Sequence, residues 1–368
     1  MKIILLTSNI NLPRIQNRIA DFRKHGYEMD VYYYCRETEQ TFCREDGVRY
    51  HLLGKIGRGA SSYFRRLMAE YGDIRKVVKG LKGQDVVYYF ITNDLALLYY
   101  LMHGKQRYIY EEADIRHTYF GSAFLRRLFE LWDKRIIRKS LLTVLVSKGF
   151  ATYHYGVGKV PDNVTFIFNK LNPSVLDLPY NKTRVPDLEH LKIGFVGSIR
   201  FDSVYNFAKV MCSSFPCHEF HFYGNVVDEG FNCLRSYSNC FFHGSFSNPS
   251  DLPGIYSDLD LVLSTYDTRF ENVRFAEPNK IYESMYFEVP IIVSKGTYLE
   301  EKVTDLGIGY SVNAMDDEEV VSFISTLTVE SLSRKSANAH RIPKKECVVE
   351  NESFFKLLEE RLKQRDLS

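Results

Sequence analysis

Short apolar segments alternate with longer amphipathic segments along most of the chain. The apolar segments are rich in Val, Ile, Tyr and Phe, as strands are, whereas the amphipathic segments repeat their apolar positions every three or four residues, as helices do. In the first half the pattern predicts strands at residues 2–7, 29–34, 48–52, 85–90, 107–111 and 142–146, and helices at 13–25, 61–79 and 124–139. This alternation is typical of β/α units that build a parallel sheet.

The alternation breaks down between about residues 150 and 190, where prolines recur, and restarts near Leu191. The second half then has predicted strands at 193–196, 219–223, 240–243, 259–263, 290–293 and 309–312, and helices at 204–214, 249–257, 278–287, 299–306, 318–327 and 353–364. A chain of 368 residues exceeds the size at which one core usually keeps growing. The sequence therefore predicts an N-terminal domain over 1–180, a C-terminal domain over 190–345, and a last helix, 346–368, that packs back on the N-terminal domain.

Charge is distributed unevenly along the chain. Residues 1–150 contain 26 Lys and Arg against 16 Asp and Glu, and the remainder contains 22 against 30, so the two parts carry about +10 and −8. Basic amphipathic helices in the first part suit docking on an anionic membrane surface, although a basic face in water explains any single helix as well. No nucleic-acid-binding motif accompanies the charge, so nucleic acid is not expected as a partner.

The cysteines and the hydropathy pattern indicate the cellular compartment. Seven cysteines without a CxxC spacing predict neither a zinc site nor a disulfide framework; they are Cys35, Cys43, Cys212, Cys217, Cys233, Cys240 and Cys347. The first apolar run is too short for a signal peptide, and the chain has no 18-residue apolar span. These features predict a cytoplasmic protein that meets the inner face of the cell membrane only peripherally.

The most informative stretch is residues 277–285, where a polar turn opens a predicted helix. Pro278 suits the first helical turn, and the backbone amides of that turn, reinforced by Lys280, bind anions. Glu283 lies one turn later, where its carboxylate can accept hydrogen bonds from vicinal hydroxyls. A phosphate held beside a diol describes a nucleotide sugar. The predicted anion site comprises Asn279, Lys280 and Ile281.

Other polar turns follow neighbouring strands and belong to the same predicted sheet edge. Gly197 would let backbone amides approach a diphosphate, and Arg200 would neutralise its charge. A simple strand-to-helix turn with a surface arginine is the alternative. The remaining donor-site candidates at this edge are Ser198, Tyr223, Gly224 and His243, the last beside a loop suited to a nucleotide base.

With these motifs the second half resembles the donor-binding domain of GT-B glycosyltransferases, most nearly glycosyltransferase family 4. The resemblance rests on residues 195–198, 252–260, 278–283 and 289–293; it covers most of 190–330 by pattern and the first half by layout alone. It implies an α/β GT-B fold, with two Rossmann-like domains facing across a cleft, and transfer that retains the anomeric configuration without a metal or other cofactor. It also implies that Glu283 contacts the ribose while Arg200 and Lys280 bind the diphosphate.

The chain departs from this family at one position of the donor site. The family signature pairs Glu283 with a glutamate that would fall at Phe275, and Glu277 lies only six positions before Glu283. Either Glu277 takes the vacated place as a catalytic residue by a different loop path, or the donor sugar is held differently. In the second case the charged residues of loop 266–276 compensate; these are Arg269, Glu271 and Arg274.

Polar residues at strand ends of the first half are expected to face the acceptor. Glu112, Asp114 and His117 are the candidate catalytic residues, since a neutral imidazole can exchange a proton near pH 7. Alternatively, these residues serve only as helix caps or salt-bridge partners. The acceptor-binding candidates are Asn9, Arg14, Asn93 and Arg116.

The sequence thus predicts a glycosyltransferase of surface polysaccharide biosynthesis that moves a sugar from a nucleotide-sugar donor to a glycan or polyprenyl-linked acceptor. Two alternatives stay open. One is a nucleotide-sugar epimerase or hydrolase on the same fold, which needs no acceptor. The other is a catalytically silent GT-B subunit that scaffolds a partner transferase, an interpretation that Phe275 favours.

Overall fold

A computed structural model describes residues 1–36, 42, 44–56, 63–103, 107–156, 158–182 and 184–366. The chain forms two compact units, the first comprising Met1–Ile167 with Glu350–Ser368 and the second comprising Phe168–Val349. The first unit thus ends at Ile167 rather than at residue 180. The reason is that the proline-rich segment packs on the second unit, where Val175 is fully buried and its carbonyl accepts a hydrogen bond from the Tyr286 hydroxyl at 3.0 Å.

The first unit is built on a parallel sheet whose described strands lie in the order β3-β2-β1-β4-β5-β6-β7. Its strands are β1 (Lys2–Thr7), β2 (Glu28–Arg36), β3 (Val48–Ile56), β4 (Val86–Phe90), β5 (Tyr108–Glu112), β6 (Leu142–Leu145) and β7 (Val164–Phe166). Its first helices are α1 (Pro13–Lys24), α2 (Tyr63–Gly80), α3 (Asn93–His103), α4 (Ala123–Lys139) and α5 (Lys148–Tyr155). Every predicted strand of this unit is present, β1 with the predicted bounds and the others with shifted ends. Residues 61 and 62 of the second predicted helix lie outside the described residues.

Helix α3 was missed because it lacks an amphipathic stripe. Its central residues are at most 8% exposed, since the helix is enclosed by its neighbours; they are Leu95, Ala96, Leu97, Leu98 and Tyr99. A helix that is apolar on all sides has no 3.6-residue periodicity for a pattern search to find. The short elements α5 and β7 were missed as well.

The second unit repeats the architecture, with a parallel sheet in the order β10-β9-β8-β11-β12-β13. Its strands are β8 (Lys192–Val196), β9 (Glu219–Tyr223), β10 (Cys240–Gly244), β11 (Leu261–Ser264), β12 (Ile291–Ser294) and β13 (Gly309–Val312). Its helices are α6 (Asp202–Ser214), α7 (Leu252–Ser257), α8 (Glu271–Phe275), α9 (Asn279–Phe287), α10 (Tyr298–Leu306), α11 (Asp317–Ser325) and α12 (Val329–His340). Two parallel α/β sheets confirm the predicted fold class, although α8 and α12 were not predicted.

The core of the second unit fills both faces of this sheet. On one face Phe195, Phe207 and Phe222 are fully buried, and on the other Val262, Ile281 and Val293 are. Because all its strand pairs are parallel, the carboxyl ends of the six strands meet at one edge. The candidate donor residues follow these strand ends.

The last helix, α13 (Glu352–Asp366), belongs to the first unit. Phe354 and Phe355 are at most 2% exposed and pack edge-to-face on Phe22 of α1. The Asn351 amide donates a hydrogen bond to Asp21 at 2.6 Å just before the helix. Burial of two aromatic side chains of this size contributes about 3–6 kcal/mol to the attachment.

Among the helices of the described residues, none combines the length and the apolar content that crossing a membrane requires. Six of the seven cysteines are described and are free thiols, and Cys43 lies outside the described residues.

Candidate donor site and a buried polar cluster

Two glycine turns bring the ends of β8 and β9 into contact in the second unit. Gly197 and Gly224 adopt φ angles of +140° and +138°. The Gly197 amide donates to the Tyr223 carbonyl at 2.8 Å, and the Gly224 amide donates to the Gly244 carbonyl at 2.7 Å. A Cβ atom on Gly224 would lie 1.9 Å from the Gly197 carbonyl oxygen, so only glycine fits there. The turns therefore present bare backbone at the strand ends.

Lys280 points at this bare backbone from the first turn of α9. It is 9% exposed, and its Nζ atom would lie 3.1 Å from a Cβ atom on Gly197. The same ammonium lies 4.6 Å from the centroid of the Phe195 ring and 3.5 Å from the Tyr266 hydroxyl. The structure thus brings Lys280 and the glycine turn together, as the sequence predicts. A largely buried ammonium in the first turn of a helix, beside a turn without side chains, is suited to a phosphate group.

Arg200 is connected to the same region by contacts between two aromatic rings. Its exposed guanidinium lies 5.0 Å from the centroid of the Phe201 ring. Phe201 packs edge-to-face on Tyr266, whose hydroxyl is near Lys280. Stacking on an aromatic face leaves the edge of a guanidinium available for an anion. The exposed residues Ser198 and Asn279 lie at the turn and at the start of α9.

Glu283 lies one turn beyond Lys280 on α9. Its side chain is buried, and its Oε2 atom accepts a hydrogen bond from the Tyr256 hydroxyl at 2.5 Å. Burial raises the pKa of Glu283, whereas the charge of Lys280 and the Tyr256 hydrogen bond lower it. Lys280 and Glu283 are therefore adjacent, as a phosphate and a neighbouring diol would require. Ile281, between them, is fully buried and anchors the helix in the core.

Aromatic rings at the ends of β9 and β10 offer a flat surface. Tyr223 and His243 stack with ring centroids 4.3 Å apart and an interplanar angle of 8°. A nitrogen of His243 lies 3.0 Å from one of His221, whose other ring nitrogen is 3.0 Å from the Glu219 carboxylate. The structure brings Tyr223 and His243 together, and the exposed His243 makes this aromatic pair accessible to a nucleotide base.

A cavity of about 540 Å³ opens at the carboxyl ends of β11, β12 and β13. Tyr266 lines it and also contacts Lys280, so the cavity adjoins the predicted phosphate site. Sequence reasoning named Arg269 of its polar lining but missed Ser294 and Lys295, although they lie at the end of strand β12, where other candidates were sought. Its polar lining includes Ser203, Arg269, Ser294, Lys295 and Asn313.

Glu277 does not join this group of side chains. It is 2% exposed, and its Oε1 atom accepts hydrogen bonds from Lys302 and from the Tyr282 hydroxyl. The loop cations that were expected to compensate are engaged locally, Arg269 with Asp267 and Arg274 with the Thr268 carbonyl. Glu277 therefore lies in a buried ion pair, because Lys302 of α10 supplies the charge that its interior position demands.

Asn9 and Arg14 lie at the end of β1 and the start of α1. The Asn9 side chain accepts a hydrogen bond from the Asn11 amide at 3.2 Å and so shapes the turn. Arg14 is half-buried, and its Nε and Nη1 atoms have no hydrogen-bond partner among the described residues. Of the two, Arg14 is the better suited to an anionic ligand.

Glu112, His117 and Asn93 lie in the interior of the first unit, not at an open edge. Glu112 and His117 are each 1% exposed, and burial raises the pKa of Glu112 to about 8 and lowers that of His117 to about 4. Asn93 is also buried and donates to Asp133 at 2.5 Å. This placement does not support direct contact with a substrate. The strand end turns inward here because α4 and α5 cover it.

Asp114 and Arg116 are the members of the same segment that reach the surface. Asp114 is exposed, and Arg116 is 42% exposed with its Nε atom 3.9 Å from Asp94. Sequence reasoning missed the partners of the buried group, Asp133 and His154. Asp133 carried a usable signal, because it occupies a position on the apolar face of α4 together with the buried Phe129 and Ile136.

The two sheets define a class of fold: the chain has the GT-B fold of glycosyltransferases. A sucrose-phosphate synthase from Thermosynechococcus elongatus is similar, with a TM-score of 0.70 at 13% identity over 100% of this chain and 99% of that one. Anabaena HepE, in complex with UDP and glucose, gives a TM-score of 0.68 at 14% identity over 100% and 99% of the chains. WaaG, a glycosyltransferase involved in lipopolysaccharide biosynthesis, gives a TM-score of 0.63 at 12% identity over 94% of this chain and 97% of that one. No protein-family model matches the chain, and no curated protein matches its sequence.

Proposed function

We propose that the protein is a glycosyltransferase that moves a sugar from a nucleotide-sugar donor to a glycan or polyprenyl-linked acceptor. The observation that carries the proposal is the position of Lys280, whose Nζ atom lies against the Gly197 turn with Glu283 one helical turn away. In a GT-B fold this places a cation, a glycine turn and a carboxylate together at the sheet edge that binds ligands. HepE, a protein of the same fold, is described in complex with UDP, so UDP is the first nucleotide to test.

In the proposed reaction the glycosidic bond to the donor diphosphate breaks and negative charge develops on the departing oxygen. Lys280 would stabilise that charge, assisted by Arg200 and the first amides of α9, without reorganising at the moment of reaction. Glu283 would hold the ribose hydroxyls, and the face formed by Tyr223 and His243 would receive the base. No metal enters this scheme. Retention of the anomeric configuration is part of the proposal, and NMR of the product anomer tests it.

The acceptor would be bound by residues of the first unit. Arg14 is proposed to contact an anionic group of a lipid-linked acceptor, because two of its nitrogens have no hydrogen-bond partner in the described part of the chain. Asp114 and Arg116 are proposed to contact acceptor hydroxyls, since both reach the surface. An arginine beside a phosphate forms a strong, charge-assisted pair.

Binding of nucleoside diphosphates to the Lys280→Ala and Glu283→Ala variants tests the donor site. By isothermal titration with UDP, then GDP and ADP, we expect roughly 100-fold weaker binding for Lys280→Ala and roughly tenfold weaker binding for Glu283→Ala, since hydrogen bonds to charged groups contribute about 1.5–3 kcal/mol. Lys335→Ala is the matched control, because Lys335 also lies over an aromatic ring, 4.3 Å from the Tyr310 centroid. Unchanged affinity in both site variants would refute the assignment.

Turnover separates the proposal from its alternatives. Release of nucleotide that depends on an added acceptor supports transfer, whereas rapid release without acceptor would instead identify a hydrolase, and interconversion of the donor an epimerase. Nucleotide binding without turnover over many acceptors would identify a silent scaffold subunit. In the last case Phe275→Glu would be the first substitution to try, because it restores the glutamate of the family signature.

Peripheral membrane binding is proposed through the exposed face of α4. Phe124 and Leu131 are 75% and 44% exposed, and Arg127 and Lys134 lie on the same face at helical spacing. We expect co-sedimentation with vesicles that contain an anionic lipid, weakened by salt, and roughly tenfold weaker for Phe124→Asp because burial of one Phe contributes about 1.5–3 kcal/mol. Leu176→Asp is the control, because Leu176 is 50% exposed but lies in the second unit. Failure to bind at low salt would remove this proposal.

A further inference from the structure

Four titratable side chains meet in the interior of the first unit, at the carboxyl end of β5. We call them the buried cluster; they are Glu112, His117, Asp133 and His154. Their side chains are at most 1% exposed. They come from β5, the following 3-10 helix (Arg116–Tyr119), α4 and α5. Histidine and carboxylate ligands contributed by four separate elements are typical of metal sites.

Polar atoms of Glu112, Asp133 and His154 lie close enough for a single coordination sphere, and His117 lies beside Asp133. The Nε2 atom of His154 lies 2.8 Å from Glu112 Oε2 and 4.0 Å from Asp133 Oδ2, and Asp133 Oδ2 lies 3.6 Å from His117 Nδ1. One ligand atom each from Glu112, Asp133 and His154 lies within 4.8 Å of the others. Ligands bonded at about 2.0–2.2 Å to a tetrahedral ion lie roughly 3.3–3.6 Å apart, so small rotations complete the geometry.

Outer hydrogen bonds orient Asp133 and His117, whereas Glu112 and His154 are hydrogen-bonded to each other through Oε2 and Nε2. Asp133 Oδ1 accepts from the Asn93 amide at 2.5 Å and from the Tyr110 hydroxyl at 3.2 Å. The Nε2 atom of His117 lies 2.9 Å from the Tyr153 hydroxyl. Within the described residues, Asp133 Oδ2, His117 Nδ1 and Glu112 Oε1 have no hydrogen-bond partner. Ligands held from outside with free inner atoms are the arrangement that metal sites use.

The two buried carboxyl groups of the cluster must be neutralised, either by protons or by a cation. Two carboxyl groups are fully buried here, and burying an unpaired carboxylate is strongly unfavourable. Among the described residues, Lys and Arg make no ion pair with Glu112 or Asp133. The alternatives are a proton shared within the cluster or a divalent cation, which two carboxylates would neutralise while two neutral imidazoles complete the sphere.

We propose that the buried cluster binds one divalent transition-metal ion, zinc being the metal best suited to two imidazoles and two carboxylates. Four protein ligands make a closed site, so the ion is structural. It would join β5 to α4 and α5 and hold the segment that presents Asp114 and Arg116 at the surface. This inference is independent of the proposed transfer reaction.

Metal titration of the full-length protein tests the inference. After treatment with a chelator, we expect Zn²⁺ to bind at about one ion per chain by equilibrium dialysis and metal analysis, and to raise the melting temperature. Co²⁺ should bind in its place with the intense visible absorption of a tetrahedral site. Less than about a tenth of an equivalent bound to folded protein, with no shift in melting temperature, would overturn the proposal in favour of a shared proton.

Variants distinguish the buried cluster from adventitious surface binding. His117→Gln and Glu112→Gln should weaken Co²⁺ binding by roughly 100-fold or more, and Asn93→Ala, which loses an outer contact only, by roughly 10–100-fold. His190→Gln is the control, because His190 also lies beside a carboxylate, Asp187 at 3.0 Å, but on the surface. Unchanged binding in both ligand variants would overturn the site. If the variants do not fold, the cobalt spectrum of the wild-type protein still decides.

Discussion

Gly224→Ala is expected to destabilise the second unit by about 4 kcal/mol or more and to abolish donor binding. The added Cβ atom would lie 1.9 Å from the Gly197 carbonyl oxygen, a backbone atom that cannot rotate away. Its φ angle of +138° adds strain for any residue with a side chain. Relieving the contact would separate the ends of β8 and β9 and displace the turn beneath Lys280. Denaturant unfolding of the full chain, followed by nucleotide titration, measures both effects.

Gly244→Ala is the matched control for this experiment. Gly244 also has a positive φ, +79°, and lies at the end of the neighbouring strand, but a Cβ atom there meets nothing within 4 Å. We expect a loss of only about 1–2 kcal/mol, the ordinary difference between alanine and glycine in the left-handed region. Because two units can unfold in separate transitions, the shift should be confined to one of them. Equal losses for the two variants would contradict the close-contact argument.

Lys302→Met is expected to destabilise the second unit by about 3–5 kcal/mol, because Glu277 would keep a buried charge without its partner. The side chains of Lys302 and Glu277 are 23% and 0% exposed, so water can replace the ammonium only in part. Methionine can still pack on Tyr282, whose ring centroid lies 4.8 Å from the Lys302 ammonium. The double variant Lys302→Met/Glu277→Gln should recover most of the loss, since a neutral amide no longer needs the cation. Thermal and denaturant unfolding provide the comparison.

The same double variant decides what Glu277 does. If the residue only supports the structure, the double variant should transfer sugar at nearly the wild-type rate. A stable double variant whose rate falls by roughly 100-fold or more would instead restore Glu277 to the catalytic role that the sequence suggests. A double variant as unstable as Lys302→Met would contradict the ion-pair interpretation.

The sequence predicts well those helices and strands whose surroundings impose a regular spacing of apolar residues. Strands β1, β9 and β13 have the predicted bounds, because short apolar segments rich in strand-forming residues seldom form anything but a strand. Helix α3 has no periodic apolar pattern because it is enclosed on all sides. Helix α12 (Val329–His340) has only a weak one because its sequence is mostly polar. Tertiary surroundings outweighed local pattern in both cases.

The candidate site divides in the same way. Gly197, Lys280 and Glu283 were grouped from the sequence, since residues that follow parallel strands meet at one edge whatever the details of packing. The environments of Glu277 and Glu112 were not predictable. Each follows a strand or opens a helix as a ligand-binding residue would, yet each side chain is buried beside partners distant in sequence, Lys302 for the first and His154 for the second.

Two sheets of parallel strands, the order of their β/α units and the edge at which the donor residues gather could all be read from the amino-acid sequence. These properties follow from the spacing of apolar residues and from chain direction, which are local. Which polar side chains reach the surface could not be read in this way, because burial depends on helices that come from elsewhere in the chain. The segment that includes Glu112 was therefore divided, with Asp114 and Arg116 outside and Glu112 and His117 inside, beside Asp133 and His154, where, as we propose, a metal ion balances the charge of the two carboxylates.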